Sequence, residues 1–82
     1  FPNPFNPTTT IRFYMGVETR HAVSHLQIFD ITSRLVETLI DGRIESGQHV
    51  IIWNAKLHPS GFYFIKLSSG AKSQTHKIIY LK

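Results

Sequence analysis

Polar and apolar side chains alternate along several short stretches of this sequence, and no stretch shows a convincing helical repeat. In the first stretch, Ile11, Phe13 and Met15 face one way while Arg12 and Tyr14 face the other, which is the period of a β-strand. The other segments predicted as strands are residues 22–29, 34–40, 48–54, 62–67 and 74–81. Six or seven short strands without helices favour a small antiparallel β-sandwich over a βαβ unit.

Turn signals separate these segments. Asp41-Gly42 and, a few residues later, Glu45-Ser46-Gly47 contain residues that tolerate a positive φ, so we predict that the chain turns there and re-enters as the strand of residues 48–54. Further turns are predicted at residues 58–61 and 68–70. The resulting spacing of about ten residues between turns is typical of an all-β domain.

The first seven residues differ from the rest, because three of the four prolines lie there. Proline fixes φ, removes an amide donor and holds the preceding residue extended, so we expect residues 1–7 to form an extended, stiff arm. Residues 8–82 then form the sandwich. With 82 residues in all, there is no room for a second core, and we expect a single domain over residues 1–82.

The composition of the chain excludes several classes of function. The absence of cysteine excludes a disulfide scaffold, a thiolate zinc site and a cysteine nucleophile. The longest apolar run, residues 50–53, is far shorter than a membrane span, so we expect no membrane insertion. Because the sequence opens on Phe1 without a leader pattern, we expect a processed product or a fragment whose export signal lay upstream.

Metal binding and catalysis are not expected. His21 and His25 are four residues apart, which on a strand separates the two rings by about 13 Å, too far to share a zinc ion. Ser60, His58 and Asp41 resemble a hydrolase triad only in residue type, because no Gly-x-Ser-x-Gly elbow surrounds the serine. We therefore predict no metal site, no catalytic residue and no cofactor.

Nucleic-acid binding is also not expected, although the net charge is +4 and an aromatic run ends in Lys66. The RNA-recognition fold needs two helices that this pattern lacks. Alternating aromatics on a strand are more often core residues or cross-strand pairs.

Five segments together resemble the C-terminal sorting domains of the type IX secretion system, which bacterial surface and secreted proteins carry. The most specific is the opening Phe-Pro-Asn-Pro-Phe-Asn-Pro-Thr-Thr-Thr-Ile-Arg-Phe, residues 1–13. The others, in order, are residues 26–30 with 34–36, 47–54, 60–64 and 77–82. The resemblance covers the whole chain.

The resemblance implies an all-β, immunoglobulin-like sandwich of about seven strands with an extended Pro-rich N-terminal arm, at the end of a cargo protein. An outer-membrane translocon would recognise it, and a sortase-like peptidase commonly removes such domains. The expected location is therefore secreted, or the cell surface of a Gram-negative bacterium, reached through the periplasm. The partners would be this machinery and the upstream cargo.

The same resemblance assigns roles to individual residues. The sorting motif would be Pro2, Asn3, Pro4, Phe5, Asn6 and Pro7. The C-terminal recognition strand would be Lys77, Ile78, Ile79, Tyr80, Leu81 and Lys82. Trp53, Gly61 and Tyr63 would be structural.

Two departures from the family pattern stand out. Ser33 occupies a turn position where many relatives have glycine, so the shape of that turn is expected to differ. Residues 54–59 replace a longer loop that carries Gly and Asp in relatives, which puts any binding role of that loop in doubt.

Several alternatives stay open. Phe1 and Phe5 either clasp the sandwich or contact a receptor, and Lys72, Lys77 and Lys82 either form a basic recognition edge or only guard a solvated one. The domain could also self-assemble into filaments by adding its arm to a neighbour's sheet. A carbohydrate-binding module would need Trp53, Tyr14 and Tyr80 as exposed stacking platforms.

Overall fold

The computed structural model describes residues 8–16 and 23–81 of the chain. These residues form six β-strands and no helix. In chain order the strands are β1 (Thr8–Met15), β2 (Ser24–Asp30), β3 (Leu35–Gly42), β4 (Gly47–Asn54), β5 (Gly61–Ser69) and β6 (Lys72–Tyr80). The Pro-rich arm, and with it the predicted clasp by Phe1 and Phe5, lies outside the described residues.

The strands form two antiparallel sheets. β1 pairs with β4 in one sheet, and the other has the order β3-β2-β5-β6. The chain changes sheet three times, between β1 and β2, between β3 and β4, and between β4 and β5. The predicted all-β antiparallel sandwich is thus confirmed, with six strands in the described part of the chain where about seven are expected.

The predicted turn within residues 41–47 is present, but it is shorter than expected because β3 continues through Asp41 and Gly42. Asp41 lies opposite His25 on β2, and its carboxylate is 3.1 Å from the imidazole Nε2. Gly42 pairs with Ser24 at a φ of 152°, so the glycine serves the end of the strand rather than a tight turn. The change of direction follows at residues 43–46.

The core lies between the two sheets. Leu26, Ile28 and Tyr63 contribute to it from the larger sheet, and Ile11 and Trp53 from the smaller one. Alternation along β1 and β2 sends these side chains to the same face, as the sequence predicts. Full burial of an aliphatic side chain stabilises the fold by roughly 1.5–3 kcal/mol.

The turn after β2 is organised by the carboxylate of Asp30. Its Oδ1 accepts hydrogen bonds from the Thr32 hydroxyl at 2.6 Å, the Thr32 amide at 2.9 Å and the Arg34 amide at 3.0 Å. The Thr32 hydroxyl, followed by the backbone donor of Arg34, holds the pKa of Asp30 below its ordinary value. Between them, Ser33 has a φ of +67°, in the left-handed region that favours glycine. The backbone at position 33 therefore has a conformation that suits glycine better than serine.

Replacing Ser33 with glycine is expected to raise the free energy of unfolding by about 0.5–1 kcal/mol. An L-residue in the left-handed region costs roughly 1–2 kcal/mol, and the greater freedom of glycine in the unfolded chain offsets part of the gain. Ser33→Ala is the matched control, because it removes the hydroxyl but keeps the Cβ. Urea unfolding monitored by circular dichroism decides the matter, and equal stabilities of the two variants would contradict the strain argument.

Candidate recognition site

The predicted C-terminal recognition strand coincides with the end of β6, an outer strand of the larger sheet. Among the described residues β6 pairs only with β5. Ile78 and Tyr80 turn toward the core, where Tyr80 is buried, whereas Ile79 is exposed. Lys77 is also exposed, and Leu81 is exposed just beyond the strand. Lys82 lies outside the described residues.

Exposed apolar side chains and one ammonium group make up the outward surface of this strand end. We call Phe62, Lys77, Ile79 and Leu81 the outer strip. Ile79 lies directly opposite Phe62 on β5, and the Lys77 Nζ is 5.0 Å from the centre of the Phe62 ring. A cation over an aromatic face is attracted by the ring quadrupole. The outer strip thus combines apolar area with a positive charge held in place.

The inward side of the same strand end is anchored in an aromatic cluster of Trp53, Tyr63 and Tyr80. The Trp53 ring lies 5.2 Å from Tyr63 in an edge-to-face arrangement and 6.3 Å from Tyr80. Trp53 is completely buried and the two tyrosines almost so. Aromatic pairs in such geometry add about 0.5–1.5 kcal/mol beyond the area they bury.

The indole nitrogen of Trp53 and the hydroxyl of Tyr63 both have hydrogen-bond partners. Trp53 Nε1 donates to the Glu37 Oε1 at 3.1 Å, and the Tyr63 hydroxyl donates to the Pro59 carbonyl at 2.6 Å. Burial raises the pKa of Tyr63, and the nearby Asp30 and Tyr80 raise it further, so the phenol stays protonated and able to donate. The described residues contain no buried side-chain nitrogen or oxygen without a hydrogen-bond partner.

Residues 54–59, the short loop, pack against this cluster. The His58 ring lies 5.9 Å from Trp53 and 6.5 Å from Tyr63, and its Nε2 is 4.0 Å from the Glu37 carboxylate. The loop is closed by a hydrogen bond from the His58 amide to the Ala55 carbonyl. The structure therefore gives this loop a packing role.

Glu37 and His58 are the members of this environment that sequence reasoning missed. Two register shifts between β2 and β3 disturb the alternation around Glu37, so periodicity does not reveal that it faces Trp53. His58 lies in a turn, where no period applies.

Gly61 begins β5 opposite Tyr80, next to the cluster. Its φ is +152°, a conformation that L-residues rarely adopt, and an added Cβ would meet no atom within 4 Å. Glycine is therefore favoured here by the backbone conformation and not by lack of space.

A groove runs between β1 and β6, because the two-stranded sheet does not cover the whole of the four-stranded one. It consists of cavities of about 500 Å³ and 260 Å³ that share Tyr14, Leu67 and Gln74. Leu26 and Ile65 also line it. The groove thus has an apolar floor and a strand on either side.

The other predicted sites are distributed as follows. The sorting motif Pro2, Asn3, Pro4, Phe5, Asn6 and Pro7 lies outside the described residues. His21 does too, and residues 8–16 and 23–81 contain no group of three or more His, Asp or Glu placed to hold a metal ion. No helix in these ranges is long and apolar enough to cross a bilayer.

The three proposed sugar platforms do not share one surface. Trp53 and Tyr80 are buried, and only Tyr14 is exposed. A stacking site for a carbohydrate would need all three rings accessible.

Comparison with known proteins places the chain in a family. A family model described as the secretion system C-terminal sorting domain matches residues 1–81. No curated protein and no solved structure gave a significant match. Such domains are sorting signals of type IX secretion, attached to a cargo and sent to the cell surface or the extracellular space, and they are not known as catalytic domains. With nearly its whole length matched, this chain belongs to the type IX secretion C-terminal sorting domain family.

Proposed function

We propose that the chain is a non-catalytic sorting and attachment module whose outer strip is recognised by an outer-membrane translocon. The observation that supports this proposal is that the end of β6 has one buried side and one exposed side. Tyr80 fixes it in the core, while Ile79 and Leu81 stay exposed beside Lys77. Exposed apolar groups clustered at one place are typical of a binding surface.

The other partners follow from the same proposal. Pro2, Asn3, Pro4, Phe5, Asn6 and Pro7 join the sandwich to the upstream cargo and keep the two apart. A sortase-like peptidase then acts on this connection after export. The domain needs no cofactor, because its role is to be bound.

A charge placed in the outer strip tests the proposal. Ile79→Glu in a cargo fusion is expected to leave most of the cargo in the periplasm, because a carboxylate replaces an apolar contact beside Lys77. Leu35→Glu is the matched control, since Leu35 lies on the other outer strand of the same sheet and is 50% exposed against 55% for Ile79. The measurement is the distribution of cargo between the periplasm on one side and the cell surface together with the medium on the other.

Thermal unfolding of both isolated variants separates recognition from folding. Exposed substitutions usually change stability by less than about 0.5 kcal/mol, so both should unfold close to the parent. Normal export of the Ile79→Glu fusion, or equal loss of export in the Leu35→Glu fusion, would contradict recognition through the outer strip.

A second candidate function, self-assembly by addition of the arm, is favoured by the groove between β1 and β6. Residues 1–7 in extended form would span about 23 Å, and the groove follows residues 9–14 of β1 for about 20 Å. Phe1 and Phe5 would supply apolar side chains for its floor. Removing residues 1–7 is then expected to abolish polymers seen by negative-stain imaging, and polymers unchanged by the removal would exclude arm donation.

A further inference from the structure

In the described part of the chain the two sheets have four outer strands, and these are not equally protected against pairing with another chain. The pairing of β3 contains two register shifts, β6 carries Lys72 and Lys77, and β1 carries Arg12 beside the groove. Irregular pairing and charged side chains are the usual means of protecting a sheet edge. Three of the four edges therefore carry such a device.

β4 has neither a register shift nor a charged side chain of these kinds to protect it. Its eight residues, Gly47–Asn54, include no Asp, Glu, Lys, Arg or Pro, and all eight pair with β1 without a register shift. Within the described residues β4 pairs with β1 alone. A regular, uncharged edge strand of this length is suited to pairing with a further strand.

The outward side of β4 is apolar at its centre. Val50 is 57% exposed and Ile52 is 63% exposed, and both are β-branched. The exposed amides of Gln48 and Asn54 lie on the same side, one at each end. Exposed β-branched residues gain from pairing with similar residues on a neighbouring strand.

The residues of β4 on the two sides of Ile51 are also similar in size and polarity. Antiparallel pairing with a second β4 around a two-fold axis at Ile51 sets Val50 opposite Ile52 of the second copy and Gln48 opposite Asn54 of the second copy. The first pair joins two β-branched side chains, and the second joins two amides that can hydrogen-bond. A two-fold interface has to be self-complementary in this way.

Charge does not oppose this arrangement. The nearest charged residue in the smaller sheet, Arg12, lies opposite Val50 on β1. In a continuous sheet of order β1-β4-β4-β1 the two Arg12 residues would be on the outermost strands, at least about 14 Å apart, which exceeds the screening length of about 8 Å at physiological salt.

We propose that two copies of this chain associate through antiparallel pairing of β4 about Ile51, forming a four-stranded sheet across the dimer. The partner is a second copy because the strand matches itself in size, polarity and lack of charge. This interface uses neither the arm nor the outer strip, and so it does not depend on the proposed sorting role.

Disulfide trapping reads the register directly, because the 82-residue chain has no cysteine of its own. Ile51→Cys places two thiols at the axis, where directly opposed Cα atoms are about 4.5–5.5 Å apart, within the range of a disulfide. We expect this variant to form a covalent dimer under mild oxidation. Gln48→Cys alone is expected not to do so, since its copies would be about 20 Å apart, whereas a mixture of Gln48→Cys and Asn54→Cys is expected to cross-link.

Light scattering over a concentration series tests the association without a thiol. Ile52→Lys is expected to raise the dimer dissociation constant at least tenfold, while Thr10→Lys, which adds the same charge to the neighbouring strand on the same face, leaves it nearly unchanged. A chain that is monomeric at millimolar concentration would overturn the proposal. Equal self-cross-linking of the Gln48→Cys and Ile51→Cys variants would also overturn it. The same holds if removal of residues 1–7 abolishes polymers while the Ile51→Cys variant forms no cross-link.

Discussion

Replacing Trp53 with alanine is expected to lower the free energy of unfolding by about 3–5 kcal/mol. The indole is completely buried and contacts Tyr63 and Tyr80 from the opposite sheet, so its loss leaves a cavity between the two sheets. A domain of 82 residues has a total stability of roughly 4–12 kcal/mol. The change therefore removes a large part of what holds the sandwich together.

Trp53→Phe separates packing from hydrogen bonding. It keeps an aromatic ring in the cluster but leaves Glu37 without the indole donor at 3.1 Å, so a smaller loss of about 1–3 kcal/mol is expected. Leu57→Ala is the control, because Leu57 is 91% exposed on the adjoining loop. Since Trp53 is the only tryptophan, denaturant unfolding is followed by circular dichroism. A loss below 1 kcal/mol for Trp53→Ala would show that the cluster is not central to the fold.

The strands were open to prediction where one face is buried and the other is solvated. Along β1, Ile11 and Met15 are buried while Arg12 and Tyr14 are exposed, and the alternation of the sequence predicts this contrast. Six segments predicted from such patterns correspond to the six strands of the described residues. The antiparallel pairing of consecutive strands, β2 with β3 and β5 with β6, follows because their connections are too short for crossovers.

What sequence reasoning missed depends on contacts between distant residues. Asp41-Gly42 has the composition of a turn, yet pairing with His25 and Ser24 on β2 keeps it in the strand. Glu37 lies 16 residues from Trp53 in the chain, and only the assembled sandwich brings its carboxylate to the indole. Local pattern carries no information on such tertiary partners.

The recognition strand was likewise predictable from the sequence only in part. Its position near the C-terminus follows from the resemblance to the family, and its alternation separates Ile79 from Tyr80. The pairing of Ile79 with Phe62, and the Lys77 ammonium over that ring, depend on the register between β5 and β6. A sequence alone does not fix that register, so the outer strip emerges only from the structure.

Deleting residues 77–82 from a cargo fusion is expected to abolish both export and the stable fold. The deletion removes Ile78 and Tyr80 from the core together with the outward side chains, and leaves Tyr63 and Gly61 without their partners on β6. Loss of the Tyr80 ring alone should cost about 3–5 kcal/mol, comparable to the total stability. Retained cargo in this experiment would therefore not by itself distinguish lost recognition from unfolding.

A shorter deletion makes that distinction. Removing residues 81 and 82 takes away the exposed Leu81 but keeps Tyr80 and all the pairs between β5 and β6. The melting temperature of the isolated domain is expected to stay close to that of the parent while export falls, because the outer strip loses one of its three apolar side chains. Full export of this fusion, beside lost export of the 77–82 deletion, would show that the fold of the domain rather than the end of its outer strip is what the machinery requires.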